Sequence, residues 1–105
     1  MKQSTHEFEN GHITYRYPNV IEAFRLLPRI GVTTDGEMKL DEFEMAARIM
    51  ESLEPYILEV KLDNKALQWA EVLEHYEMIP HLQHVGMDVV SSISQQNAER
   101  KERKK

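Results

Sequence analysis

In "PHLQHVGMDVVSSI", residues 80 to 93, the apolar side chains Leu82, Val85, Val89 and Ile93 recur every three or four positions. That spacing lines one side of an α-helix and leaves the other side to water. A helix of this kind is stable only when its stripe is buried against a second layer, so the chain must supply partners for it. The 105 residues suffice for one domain with a single modest core.

The first partner reads as a hairpin. In "HEFENGHITYRY" the pair Asn10-Gly11 suits a tight turn that needs positive φ, and Ile13, Tyr15 and Tyr17 alternate with His12, Thr14 and Arg16. Pro18 ends the strand. Asn19 then caps a helix, with Glu22 three positions on to reach back, and Val20, Phe24 and Leu27 read as its apolar side. Pro28 and Gly31 close it. A second helix, "EFEMAARIMESLE", is capped by Asp41 and carries Phe43, Ala46, Ala47, Met50 and Leu53 or Glu54 at helical spacing. Pro55 interrupts it. "PYILEVKL" fits either a helical turn or a short strand, and the helix-forming Leu, Glu and Lys favour helix. Asp63 or Asn64 then caps "KALQWAEVLEHYE", with Trp69, Val72, Leu73 and Tyr76 as its stripe. The fold expected is therefore mainly α with a small N-terminal β-hairpin, four to five short helices around one core. Residues 1–94 form the domain and 95–105 a charged flexible tail.

Charge narrows the partners. The chain holds 18 acidic and 13 basic side chains, and five of the basic ones lie in the closing "RKERKK". Ahead of that segment, 8 basic face 17 acidic groups, a balance that repels phosphate backbones and argues against nucleic acid as the main partner. There is no cysteine, which removes disulfides and thiolate metal sites. No apolar run approaches the roughly 20 residues of a membrane span. The expectation is a soluble, cytoplasmic protein with no membrane partner.

Chemistry is hard to place on these residues. "GVTTDGEMKLDEF" resembles half of a calcium loop, with Gly36 at the glycine position, Asp35 before it and Glu42 at the twelfth. The same register puts Gly31 first and Lys39 ninth, so one ligand is missing and a positive charge sits beside the ion. The stretch reads better as a loop into the helix that Asp41 caps. His81 and His84, with His75 and Glu77 upstream, suggest zinc, yet Pro80 separates His75 from the other two. Neighbouring carboxylates such as Glu7 and Glu9, or Glu71 and Glu74, have the spacing of a solvated face. No Gly-x-Ser-x-Gly elbow or phosphate loop is present. No catalytic residue, metal ligand or cofactor is assigned, and an enzyme is not expected. Six methionines and the large aromatics instead supply adaptable apolar surface. On side-chain type, Tyr56, Trp69, Tyr76, Met78 and Met87 are the candidate partner-binding residues, with core packing as the competing role for each.

The strand and capped helix of "ITYRYPNVIEAFRLLPRIG", followed by "EPYILEVKL" and "WAEVLEHYEMIPHLQHVGMDVVSSI", resemble the tail assembly chaperones of long-tailed phages. The resemblance covers about residues 12 to 94 and concerns layout, since no residue of that family carries over position by position. It implies a non-enzymatic role in the host cytoplasm: binding the long helical tape-measure protein, keeping it soluble and helping to recruit tail-tube subunits. It also implies an extended second form made by ribosomal frameshifting, which a protein sequence does not display. The competing readings are an acidic helical adaptor of cellular or prophage origin and a small DNA-associated regulator that uses the basic tail. Self-association stays open. Because the calcium register is defective, millimolar calcium or stoichiometric zinc is expected to leave the thermal midpoint unmoved. A calcium-dependent rise of several degrees that Glu42→Gln removes would overturn that reading.

Overall fold

A computed structural model describes residues 2–31 and 41–103, with side chains described to residue 93. The N-terminal hairpin is present: β1 (Gln3–Phe8) and β2 (Gly11–Arg16) run antiparallel, with Ser4 opposite Tyr15 and His6 opposite Ile13. Its turn residues are Glu9 and Asn10, because Phe8 and Gly11 are register partners. Neither has positive φ. Gly11 opens β2 for a different reason. A Cβ at that position would fall onto the backbone carbonyl oxygen of Lys61 on the neighbouring strand.

α1 (Val20–Arg29) begins as the sequence indicates. The Asn19 side chain accepts from the Glu22 N–H at 2.9 Å, and the Glu22 carboxylate accepts from the Asn19 N–H at 3.0 Å. Pro28 lies inside its last turn, and Gly31 follows at φ 82°, the left-handed conformation usual just past a helix end. α2 (Glu42–Glu51) is capped by Asp41, whose carboxylate accepts from the Glu44 N–H at 2.8 Å. Most of the stretch that resembles a calcium loop, residues 32–40, lies outside the described residues.

The mainly helical expectation fails at "PYILEVKL". After one 3₁₀ turn (Glu54–Tyr56) the chain forms β3 (Ile57–Leu62), which pairs antiparallel with β2. The "LDN" expected to cap a helix is the two-residue turn of a second hairpin. Asp63 and Asn64 stand at φ 52° and 64°, the pair of left-handed residues that a type I′ turn requires, and lead into β4 (Lys65–Ala66). The result is a four-stranded antiparallel sheet in the order β1-β2-β3-β4. Local helix propensity of Leu, Glu and Lys amounts to tenths of a kcal/mol per residue, and it loses to a ladder along β2 that buries Val60 and Leu62. The register slips between Thr14 and Tyr15, where Thr14 faces Glu59 and Tyr15 faces Ile57, so Leu58 is the extra residue of a bulge.

The helix expected over "KALQWAEVLEHYE" is correspondingly shortened. Lys65 and Ala66 belong to the sheet, α3 is only Trp69–Val72, and a 3₁₀ turn (Tyr76–Met78) leads directly into α4 (Ile79–Arg103). α4 is a single element that runs past residue 94, where the sequence places the end of the domain. No helix among the described residues is long and apolar enough to cross a membrane.

The helices cover one face of the sheet. Ile13, Tyr15, Val60 and Leu62 from the strands meet Leu26 and Ile30, Ile49 and Leu53, Val72, and Met78, all buried. Leu82, Val85, Val89 and Ile93 complete the core from α4, the stripe that the sequence marks. The other sheet face is polar, with a Thr5–Thr14 hydroxyl contact at 3.3 Å and a His12–Glu59 contact at 2.7 Å. α2 and α4 approach closely at Gly86, where a Cβ would fall onto Cγ2 of the buried Ile49 and lie 3.9 Å from Leu53 Cδ1. Overpacking a well-filled contact costs about 1–3 kcal/mol. Gly86→Val is therefore expected to lower unfolding free energy by about 2–3 kcal/mol in urea titrations, despite removal of a helix-interior glycine.

Candidate protein-docking surface

α1 is held to the body by its inner side. Leu26 and Ile30 are buried, and Ala23 and Leu27 pack against the core. These four positions form an i, i+3, i+4, i+7 stripe. Val20, Ile21 and Phe24 occupy the remaining apolar positions and are 65%, 61% and 72% exposed. Phe24 lies three and four residues after the other two, so the three side chains are neighbours on one turn of helix surface. Reading Val20, Phe24 and Leu27 as the inward side is thus corrected: only Leu27 packs inward, beside Ala23, Leu26 and Ile30, while Val20 and Phe24 face solvent.

Charge fixes the orientation of this helix. The Arg16 guanidinium, at the end of β2, donates two hydrogen bonds to the Glu22 carboxylate, at 2.7 and 2.6 Å. The pair is largely covered, with Arg16 also 5.1 Å from the centre of the Tyr56 ring. Glu22 therefore joins the sheet to the helix and serves the capping box at once.

The residues singled out by type fall in different places. Tyr56 and Met78 are core residues, 5% and 0% exposed. Trp69 is partly buried against the core. Tyr76 and Met87 are open to solvent, at 85% and 57%. The five therefore do not form one surface. Sequence reasoning misses the α1 face that does, because it counts Val20 and Phe24 toward the core and gives Ile21 no role. A short helix with apolar residues on two sides is the available signal, since only one side can face a single sheet.

Two polar clusters join segments more than seventy residues apart in sequence. Asp88 Oδ2 accepts from the hydroxyls of Tyr15, at 2.5 Å, and Tyr17, at 2.6 Å, tying β2 and its following residue to α4. Burial and the Asp88 carboxylate hold the Tyr15 hydroxyl well above its ordinary value, so it stays protonated as a donor. The second cluster is aromatic. The His6 ring stacks on His84 and its Nε2 lies 3.1 Å from His81 Nδ1, while Phe8 stacks on His81. Rings stacked face to face do not aim their nitrogens at a common point, and no group of three or more His, Asp or Glu among the described residues is placed to hold a metal ion. The clefts are open and charged. One of about 440 Å³ lies between α1 and α2 beside Arg29, Arg48 and Glu51, and one of about 490 Å³ lies at the two hairpin tips.

Comparison of the chain with protein-family models, with characterised proteins and with solved structures finds no match in any of the three.

The two Arg16 hydrogen bonds, aided by the Asn19 N–H, lower the Glu22 carboxyl from 4.5 to about 2. A carboxylate depressed in the folded state contributes stability that is complete above its unfolded value and is lost as pH falls through the folded one. Glu22→Gln is expected to cost about 1–2 kcal/mol at neutral pH after allowance for solvent screening. The difference from wild type should shrink between pH 4.5 and about 2, as read from urea unfolding at a series of pH values. A gap that stays constant across that window would show that the pair contributes nothing through its charge.

Proposed function

We propose that this chain is a protein-binding module that takes an amphipathic helical segment of a partner onto the outer face of α1. The observation that carries this reading is the exposure of Val20, Ile21 and Phe24 together on a helix whose other side is anchored in the core. A partner helix laid along α1 would remove these side chains from water, as in helix-to-helix recognition through i, i+3 and i+4 anchors. Phe24 is the anchor, being the largest and the most exposed of the three. The surplus of acidic groups ahead of the basic tail gives copies of this chain a mutual repulsion that works against docking of the face on itself.

The specific form of the proposal is the tail assembly chaperone reading, with the tape-measure protein as the helical partner and tail-tube subunits recruited afterwards. Its support is the layout of residues 12 to 94 together with an uncovered apolar helix face. A long helical protein with a repeated apolar stripe aggregates until that stripe is covered, and a face of this kind covers it reversibly.

Phe24→Glu tests the surface and co-expression tests the partner. The substitution lies on the outer side of α1, so unfolding free energy should change by no more than about 0.5 kcal/mol. Binding of a helical partner should weaken by about 2 kcal/mol or more, the usual scale for loss of a central aromatic anchor. Co-expression with the tape-measure protein of the same gene cluster should yield a soluble complex with wild type and aggregate with Phe24→Glu. If that partner is equally soluble with and without this chain, the chaperone reading fails and the adaptor reading takes its place. If the complex forms equally well with Phe24→Glu, the α1 face is not the docking surface.

A further inference from the structure

We propose that the contact between β1 and α4 is a proton-operated latch at His6, closed while that ring is neutral against His81 and His84 and opened when mildly acid conditions charge it. The geometry leaves no room for a charge on His6 beside a charge on either neighbour. His6 lies with its ring centre 4.3 Å from that of His84, tilted by 24°, and with Nε2 at 3.1 Å from His81 Nδ1. The short nitrogen–nitrogen contact needs one ring to donate and the other to accept, so one of the two must be neutral there. Protonating both sets two N–H groups against each other, and a charged His84 ring beside a charged His6 adds repulsion at van der Waals distance.

No carboxylate makes an ion pair with the three rings among the described residues. The ion pairs that histidines make there are His12 with Glu59 and His75 with Glu77, so Glu77, four residues before His81, pairs with His75. From β1 itself, Ser4 and Phe8 share the face of His6, and Glu7 points the other way by strand alternation. Across the ladder His6 faces Ile13, and His12 belongs to the opposite sheet face with Glu59. On α4, Asp88 is one turn beyond His84, but it is engaged by the Tyr15 and Tyr17 hydroxyls. Burial first, then the His84 and His81 charges, hold His6 below its ordinary 6.5. A histidine lowered in the folded state contributes stability that is present above the unfolded value and is lost as pH falls below 6.5.

What opens is an edge. β1 is the outermost strand, held by its ladder with β2 and by these rings on α4, and Phe8 rides on the His81 ring at 3.9 Å. With His6 charged, β1 loses its ring contacts to α4 and relies on its ladder with β2 and the packing of Phe8, and opening of that ladder frees the outer edge of β2 for another strand.

Amide hydrogen exchange of the full chain, corrected for intrinsic rates and compared at about pH 7.5 and about pH 5, tests the latch. Protection of Gln3–Phe8 should fall by at least about tenfold while protection within α2 holds. Such a drop reports a His6 ring that binds its proton less tightly in the closed latch than in the open one. His6→Phe keeps the stacking and removes the central proton, so its β1 protection should be the same at both pH values. His84→Gln, at an exposed position, should reduce the drop and serves as the second variant if His6→Phe does not fold. Unchanged β1 protection in wild type overturns the proposal. So does loss of protection in β1 and α2 together, or a drop that persists undiminished in His84→Gln.

Discussion

The pairing of β2 with β3 is the constraint on which the other elements depend. It joins Ile13 to Val60 and Gly11 to Leu62 across an intervening stretch of roughly forty residues, and closing a loop of that length costs only slightly more entropy than closing a shorter one. Once it forms, β2 is a central strand with a neighbour on each side, and Ile13, Tyr15, Val60 and Leu62 present one continuous apolar floor. The backbone of β3 approaches so closely at Lys61 that only glycine fits at position 11. The connection that contains α1 and α2 must then return across that floor.

α4 completes the core and carries the polar ties. Its buried stripe supplies the helix side of the core, while Asp88, beside that stripe, collects the Tyr15 and Tyr17 hydroxyls. A carboxylate placed there fixes rotation and register of the helix over β2, because two donors from positions fifteen and seventeen converge on one oxygen. Hydrogen bonds to a charged group are worth more than neutral ones, and every buried side-chain nitrogen or oxygen among the described residues has a partner. Gly86 lets α2 lie against the same helix at a distance that any other residue would widen.

The proposed docking face follows from this arrangement. α1 has the Arg16–Glu22 pair at its start and Leu26 and Ile30 beneath it, so the helix cannot roll to hide Val20, Ile21 and Phe24. The exposed side is left over because the sheet offers one floor and the helix has two apolar sides. The histidine contact at β1 is a consequence of the same layering: α4 lies across the sheet, and the edge strand reaches it through ring stacking with Phe8 as the only large apolar residue of that strand.

Residue patterns alone determined what depends on neighbours in sequence. The capping box at Asn19 and Glu22, the cap at Asp41, the alternation of Ile13 and Tyr15 and the stripe from Leu82 to Ile93 are each set within a few residues, and each is where local chemistry puts it. The extension of the expected hairpin into a four-stranded sheet, at the expense of the helix expected over "PYILEVKL", was decided by tertiary structure, because β3 becomes a strand only when β2 is present to pair with it. "LDN" likewise fits a cap and a type I′ turn equally well until a strand stands on each side. The side chains proposed by type alone divided into core and surface for the same reason: burial of Tyr56 and Met78 and exposure of Tyr76 and Met87 depend on which elements stack on which. Contacts between Tyr15 and Asp88, or His6 and His84, bring together residues more than seventy positions apart, and only the completed fold makes them neighbours.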